Sequence, residues 1–167
     1  MYTEREERTM IKMICFDMDG TIADLYGTKN WLARLRNEDE APYREATAIY
    51  NPEILNAILS ELAKRGIEIR VITWLSMNSS EDYKARTREA KLDWLADNAF
   101  PYTHFHGVRY GATKADSIRE YLGEGETAIL IDDNEKVRKG WHMGEAIDPT
   151  ATNIINYLTA ILEELNK

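Results

Sequence analysis

A single cysteine, Cys15, in a chain of 167 residues excludes an internal disulfide framework and a cysteine-rich zinc site. No run of about 18 apolar residues occurs, which excludes a membrane-spanning helix. The opening MYTEREERTM is charged where a secretory leader needs an apolar core, so a cytoplasmic location is expected. Positive charge is also short: 21 Lys and Arg stand against 29 Asp and Glu, for a net charge of −8. That balance weighs against a general nucleic-acid coat, which wants a basic stripe. It leaves a phosphorylated substrate open, because a bound divalent cation reverses the local sign of a site. Internal repeats, low-complexity tracts and long linkers are missing too. What is there, 44% hydrophobic and 30% charged residues, reads as one ordinary globular domain.

Along the chain, residues 1–9 read as a solvated arm, and the apolar run of residues 10–16 as a buried strand ending at Asp17-Met18-Asp19-Gly20. A short helix is expected within 28–37, with Trp31, Leu32 and Leu35 on one face, broken by the polar stretch up to Pro42. Asn51 suits an N-cap and Pro52 the first helical position; Ile54, Leu55, Ile58, Leu59 and Leu62 then form one apolar stripe, stopped by Gly66. Residues 67–72 alternate as a strand. A long polar helix is expected over about 80–98, with Tyr83, Thr87, Ala90 and Trp94 along one side, then a strand over 102–108 and a short helix over 114–122. Residues 127–131 form a second buried strand, ending at Asp132-Asp133, and Ile154 to Leu165 carry the stripe of a last helix. Strand and helix alternate nearly throughout, which predicts an α/β fold: a parallel sheet of about five strands with helices on both faces.

In such a sheet, ligands sit beyond the carboxyl ends of the strands. The residues that terminate the apolar runs are Asp17 and Asp19, then Thr73, then Asp132 and Asp133, with Lys114 opening a helix. Packing does not explain that pattern. Carboxylates gathered at a sheet edge repel one another unless a cation sits among them, and magnesium takes a few oxygen ligands plus water and phosphate. One aspartate facing a phosphate can attack it, and a second can protonate the leaving oxygen and later activate water. A lysine adds fixed positive charge, and the threonine hydroxyl and the backbone N–H groups after Asp17, Gly20 included, offer donors to phosphate oxygens.

The stretch Phe16-Asp17-Met18-Asp19-Gly20-Thr21-Ile22-Ala23-Asp24 resembles the first motif of the haloacid dehalogenase-like hydrolase superfamily. Val71-Ile72-Thr73 resembles its second motif, Lys114 its third, and Ile129-Leu130-Ile131-Asp132-Asp133 its fourth. The resemblance runs from about residue 11 to 147 and implies a three-layer Rossmann-like core. It further implies that Asp17 is the nucleophile and a magnesium ligand, and that Asp19 is the general acid/base with its backbone carbonyl on the metal. Thr73 and Lys114 would bind phosphate, and Asp133 would ligate magnesium with Asp132 supporting it. Dehalogenases of the superfamily lack the acid at position 19, so phosphoryl chemistry is expected. The wording of the first and fourth motifs resembles the 5′(3′)-deoxyribonucleotidase branch, which makes (deoxy)nucleoside monophosphates the expected substrates. That branch carries a larger cap than the insertion expected here at residues 25–50, between core segments 10–24 and 51–167. A small cap implies an open site, suited to a larger phosphorylated substrate or closed by a second subunit, so monomer and homodimer are both expected states. A polynucleotide end-phosphatase and a non-catalytic module holding phosphate and magnesium are the rival readings.

Other readings of the acids fit less well. A calcium loop starting at Asp17 would place Gly20 two positions early and Thr28 where its bidentate Glu belongs. A response-regulator receiver uses similar groups in another order. Trp74 and Arg109 are candidate substrate contacts, Trp74 by stacking a base or sugar. His104 and His106 face one way on their strand, with a structural or surface role the simpler reading. Cys15 and Trp31, Trp94 and Trp141 read as core, and Asp24 as either a turn residue or a neighbour of the site.

Overall fold

In the computed structural model, residues 10–77 and 79–167 are described, so the expected arm at residues 1–9 lies outside them. In chain order the elements are β1 (Met10–Phe16), β2 (Ala23–Asp24), α1 (Trp31–Arg36), α2 (Ala41–Glu45), β3 (Thr47–Ala48), α3 (Pro52–Lys64), β4 (Glu68–Trp74), α4 (Glu81–Asp97) and β5 (His104–Val108). Two 3-10 turns follow at Lys114–Ser117 and Arg119–Tyr121, then β6 (Glu126–Ile131), α5 (Glu135–Lys139), β7 (Ala146–Ile147) and α6 (Ile154–Leu165). The 3-10 turns stand where the sequence predicts a short helix over 114–122. No helix among the described residues is long and apolar enough to cross a membrane.

Five strands form one sheet in the order β5-β4-β1-β6-β7, every neighbouring pair parallel. β1 is central, and its Met13, Ile14, Cys15 and Phe16 are all fully buried, as a strand covered on both faces requires. Lys12 interrupts the apolar run without being buried, because the pairing with β6 skips it: Ile11 faces Thr127 and Met13 faces Ala128. This bulge leaves the ammonium to reach Glu68 at 4.0 Å.

Alternation along β1 divides the core. Ile14 and Phe16 pack with α3, α6 and Trp94 and Leu95 of α4. Met13 and Cys15 pack with Ala115 of the first 3-10 turn, with Ile118 between the two turns and with Trp141, beside Val137 of α5. Helical segments thus cover both faces. Arg70 departs from the simple alternation of β4: it is 2% exposed, paired with Glu68 at 2.8 Å, and lies 4.4 Å from the centre of the Tyr121 ring.

A small insertion follows β1. Its ends are tied by the antiparallel pair β2–β3, with Ala23 opposite Ala48 and Asp24 opposite Thr47. Between them α1 and α2 are held to α4 by polar contacts. Arg44 pairs with Asp93 at 3.0 Å, Glu38 accepts the Ser80 N–H at 2.7 Å, and Arg86 pairs with Glu40. The insertion is therefore fastened over the carboxyl end of β1 and β4.

Candidate active site

β1 delivers Asp17 at its carboxyl end, where strand order reverses direction in the sequence and a crevice opens. The chain then closes a turn on itself: the N–H groups of Thr21, Ile22 and Ala23 all donate to the Met18 carbonyl, and that of Gly20 to the Ala23 carbonyl at 2.9 Å. Gly20 has φ of 79°, a conformation other residues rarely adopt. The N–H groups of Met18 and Asp19 are the ones this turn does not use, whereas the Gly20 N–H is engaged within it.

The Asp17 carboxylate is held from two sides. Lys114 Nζ donates to Oδ1 at 2.8 Å and the Thr21 hydroxyl approaches Oδ2 at 3.0 Å. The same ammonium reaches Asp132 Oδ2 at 2.8 Å, and the other Asp132 oxygen accepts the Asn134 N–H at 2.9 Å. Thr21 Oγ1 also lies 3.3 Å from Asp133 Oδ1 and accepts the Asp133 N–H at 3.2 Å. One oxygen from each of Asp17, Asp132 and Asp133 lies within 4.8 Å of the others.

This crowding shows in the acidities. Burial, then the Asp17 charge, pushes the carboxyl of Asp132 up to about 6 and that of Asp133 up to about 7. Burial works against the charged form of Lys114, but the carboxylates of Asp17 and Asp132 outweigh it and its pKa is raised. Three carboxylates against one ammonium leave a surplus of two negative charges among oxygen donors only. That donor set fits a hard divalent cation.

The other residues singled out from sequence are placed unequally. The Asp19 carboxylate is not in the cluster; its Oδ2 pairs with Lys91 Nζ at 2.8 Å, and burial raises its pKa while Lys91 pulls it back. Thr73 is 1% exposed, with its hydroxyl oxygen 2.6 Å from the same Lys91 Nζ. Trp74 holds its ring by donating Nε1–H to the Ala112 carbonyl at 2.9 Å, with Tyr110 tilted against it at 5.0 Å and Lys114 Nζ 5.4 Å from its centre. Arg109 is exposed and outside the cavity, whereas Tyr110 beside it lines the wall. Asp24 accepts the Gly27 N–H at 3.0 Å and so closes a turn. His104 is exposed; His106 Nε2 lies 3.0 Å from Arg70 Nη1, which makes that nitrogen an acceptor and, after burial, helps to lower its pKa. Neither histidine lines the cavity.

Lys91 is the residue that motif reading misses. A usable signal exists: it falls four residues after Thr87, on the inward side of α4 that also carries Tyr83 and Leu95. Above the acids lies a cavity of about 780 Å³, reached by Asp17, Asp19, Lys114, Asp132 and Asp133. The insertion lines it with Leu25, Tyr26, Trp31, Leu35 and Tyr43, and the strand ends with Trp74 and Tyr110. Tyr26 and Trp31 meet edge to face at 5.0 Å.

No family model and no curated protein matches the sequence. Among solved structures, a chain in the structure of the Pnkp1/Rnl/Hen1 RNA repair complex is similar, with a TM-score of 0.55 and 17% identity. The match covers 89% of this chain and 45% of that one, so the chain spans less than half the length of that relative. This likeness is one of fold. Asp17 and the Asp132-Asp133 pair occupy the ends of the two adjacent parallel strands β1 and β6, with Lys114 paired to Asp17 and Asp132.

Proposed function

We propose that this chain is a magnesium-dependent phosphomonoester hydrolase that works through a phosphoryl group carried on Asp17, with nucleoside monophosphates, deoxy or ribo, as its substrates. The observation that carries the reading is the Lys114 bridge between Asp17 and Asp132, inside a carboxylate cluster with two unneutralised charges.

Asp17, Asp132 and Asp133 would hold the ion, and a bound Mg2+ would supply the charge neutralisation that lets a phosphate dianion approach a carboxylate. Lys114 uses two of its three N–H donors on Asp17 and Asp132, which leaves one for a phosphate oxygen. The N–H groups of Met18 and Asp19, which have no acceptor among the described residues, supply further donors, whereas Thr73 is buried away from the cavity wall and accepts from Lys91. Asp17 attacks phosphorus as the ester P–O bond breaks, and Asp19 gives its proton to the departing oxygen. Asp19 then takes a proton from water, the resulting oxygen attacks phosphorus, and the bond to Asp17 breaks to release inorganic phosphate. Asp17 and Asp19 end as they began. Positioning and charge stabilisation do most of this work, because the chemistry asks little covalent help beyond one nucleophile.

The substrate reading rests on the cavity. Its volume lies in the range of small-molecule sites, and its walls away from the acids are aromatic and aliphatic with few charges. A planar base against Trp74 and Tyr110 or Tyr26 and Trp31 suits such walls better than a bare sugar. The likeness to a chain of an RNA repair complex makes a polynucleotide end the second reading.

The test is phosphate release from nucleoside monophosphates, sugar phosphates, a phosphopeptide and a 3′-phosphorylated oligonucleotide, with magnesium, with chelator, and with Asp17→Asn. Release that needs both magnesium and Asp17 and is confined to nucleotides supports the proposal. Preference for the oligonucleotide favours the second reading. Metal binding without release from any ester overturns the hydrolase and leaves a binding module.

A further inference from the structure

Lys91 is a wholly buried ammonium that belongs to none of the motif stretches around Asp17, Thr73, Lys114 and Asp132. Its Nζ donates to Asp19 Oδ2 at 2.8 Å, to Thr73 Oγ1 at 2.6 Å and to the Trp74 carbonyl at 2.9 Å. The ring of Tyr43, from the insertion, covers it at 4.8 Å. An ammonium has three N–H donors, so Lys91 has none left for a substrate oxygen. It is also absent from the cavity wall, unlike Lys114. It therefore does not bind phosphate. Nor is packing a sufficient reason for it, because an apolar side chain at an inward helix position avoids the desolvation of a buried charge.

Its three contacts instead join the end of β1 to the end of β4. Asp19 Oδ2 is fixed by the ammonium, while Asp19 Oδ1 has no partner among the described residues and Asp19 lines the cavity. We propose that Lys91 is a positioning residue: it clamps Asp19 by one oxygen and the Thr73 hydroxyl beside it, so that the other Asp19 oxygen delivers a proton to the leaving group and later recovers one from water. This rests on the reading of Asp19 as the proton donor given above.

The test separates proton delivery from general damage by the leaving group. A nucleoside monophosphate expels an alkoxide that needs the proton, whereas p-nitrophenyl phosphate expels a phenolate that does not. Lys91→Met should lower kcat/KM for the nucleotide by about 100-fold or more, the usual worth of a placed general acid, and for the aryl ester by less than about 5-fold. Because the same Asp19 activates water in the second step, the variant should release a burst of nitrophenolate equal to the enzyme present. Asp19→Asn should show the same pattern, and adding Lys91→Met to it should cost nothing more on the aryl ester.

An equal fall on both esters without a burst overturns the assignment, as does a combined variant slowed by the full factor of Lys91→Met alone. Should Lys91→Met fail to fold, the combined variant, which removes both buried charges at once, is compared with Asp19→Asn alone: equal rates on the aryl ester support the assignment and a further fall overturns it. No turnover of either ester by the unaltered chain overturns this proposal together with the hydrolase reading; turnover with an unselective Lys91→Met overturns this one alone.

Discussion

Gly20 and Asp133 are packed so closely that a Cβ on Gly20 would sit 2.4 Å from Asp133 Oδ2. The glycine, which follows the two acids of the first loop, thus makes room for the acid that ends β6. A Cβ would also meet the Tyr26 ring at 2.6 Å, and φ of 79° adds backbone strain. Gly20→Ala should therefore lose at least about tenfold in Mn2+ or Mg2+ affinity by calorimetry, near 1.4 kcal/mol. Gly66 is the control: its φ is 86° but no atom lies within 4 Å of its Cβ position. Gly66→Ala should lower the melting temperature through strain of about 1–2 kcal/mol and leave metal affinity unchanged. Equal metal affinity in the two variants would refute the packing argument.

Lys114 is the cation that Asp17 and Asp132 share. Lys114→Met leaves two buried carboxylates without it, a change that ordinarily costs about 3–5 kcal/mol. In chelator the variant should show a loss of that order in urea unfolding. Saturating divalent metal should restore a large part, because the ion neutralises the same charges. A loss of equal size with and without metal would mean that lysine and metal do not share a site.

The raised carboxyls of Asp132 and Asp133 fix a direction for pH. Between the ordinary carboxylate range and their folded values of about 6 and about 7, the folded chain binds more protons than the unfolded one. These two groups make stability without metal fall as pH rises through that window, against the smaller opposite contribution of His106, whose lowered pKa acts below the ordinary histidine value. Metal binding needs both groups ionised, so the stabilisation by Mg2+ should grow over the same window. Melting curves with chelator and with Mg2+ at pH 5, 6, 7 and 8 should converge at the acid end and separate at the alkaline end. Asp133→Asn should flatten the chelator series; a series that rises with pH would contradict the repulsion.

How far the sequence reaches is set by element length and by what closes each element. Asp17, Thr73 and Asp132 stand out because each ends a run of buried apolar residues, and Asn51 with Pro52 marks the start of α3 by capping chemistry alone. β7 is legible only in the structure, since two residues carry no periodicity and its place is set by pairing Ala146 and Ile147 with Leu130 and Ile131. α5 has no buried residue and therefore no apolar stripe to read. Lys91 and Arg70 pass unnoticed for the opposite reason: pattern reading sends charges to solvent, and only tertiary partners keep these two inside. Arg109 illustrates the limit of proximity in sequence, because it lies outside the cavity although the very next residue, Tyr110, lines the wall.

Trp31 offers the sharpest test of the insertion. It lines the cavity from α1, braced edge to face by Tyr26 and packed in the cluster of Leu25, Tyr43 and Ala90, apart from the Asp17, Asp132 and Asp133 group. Its removal should therefore touch the body of a substrate and not its phosphate. Stacking of one base on an aromatic side chain is worth about 1–3 kcal/mol. Trp31→Ala should accordingly raise KM for a nucleoside monophosphate by roughly 5- to 150-fold with kcat little changed, and leave kcat/KM for glycerol phosphate within about twofold. A fall of the same size on both esters would show that Trp31 only holds α1 in place. An unchanged KM for the nucleotide would move base recognition to Trp74 and Tyr110, whose paired variants would then carry the effect.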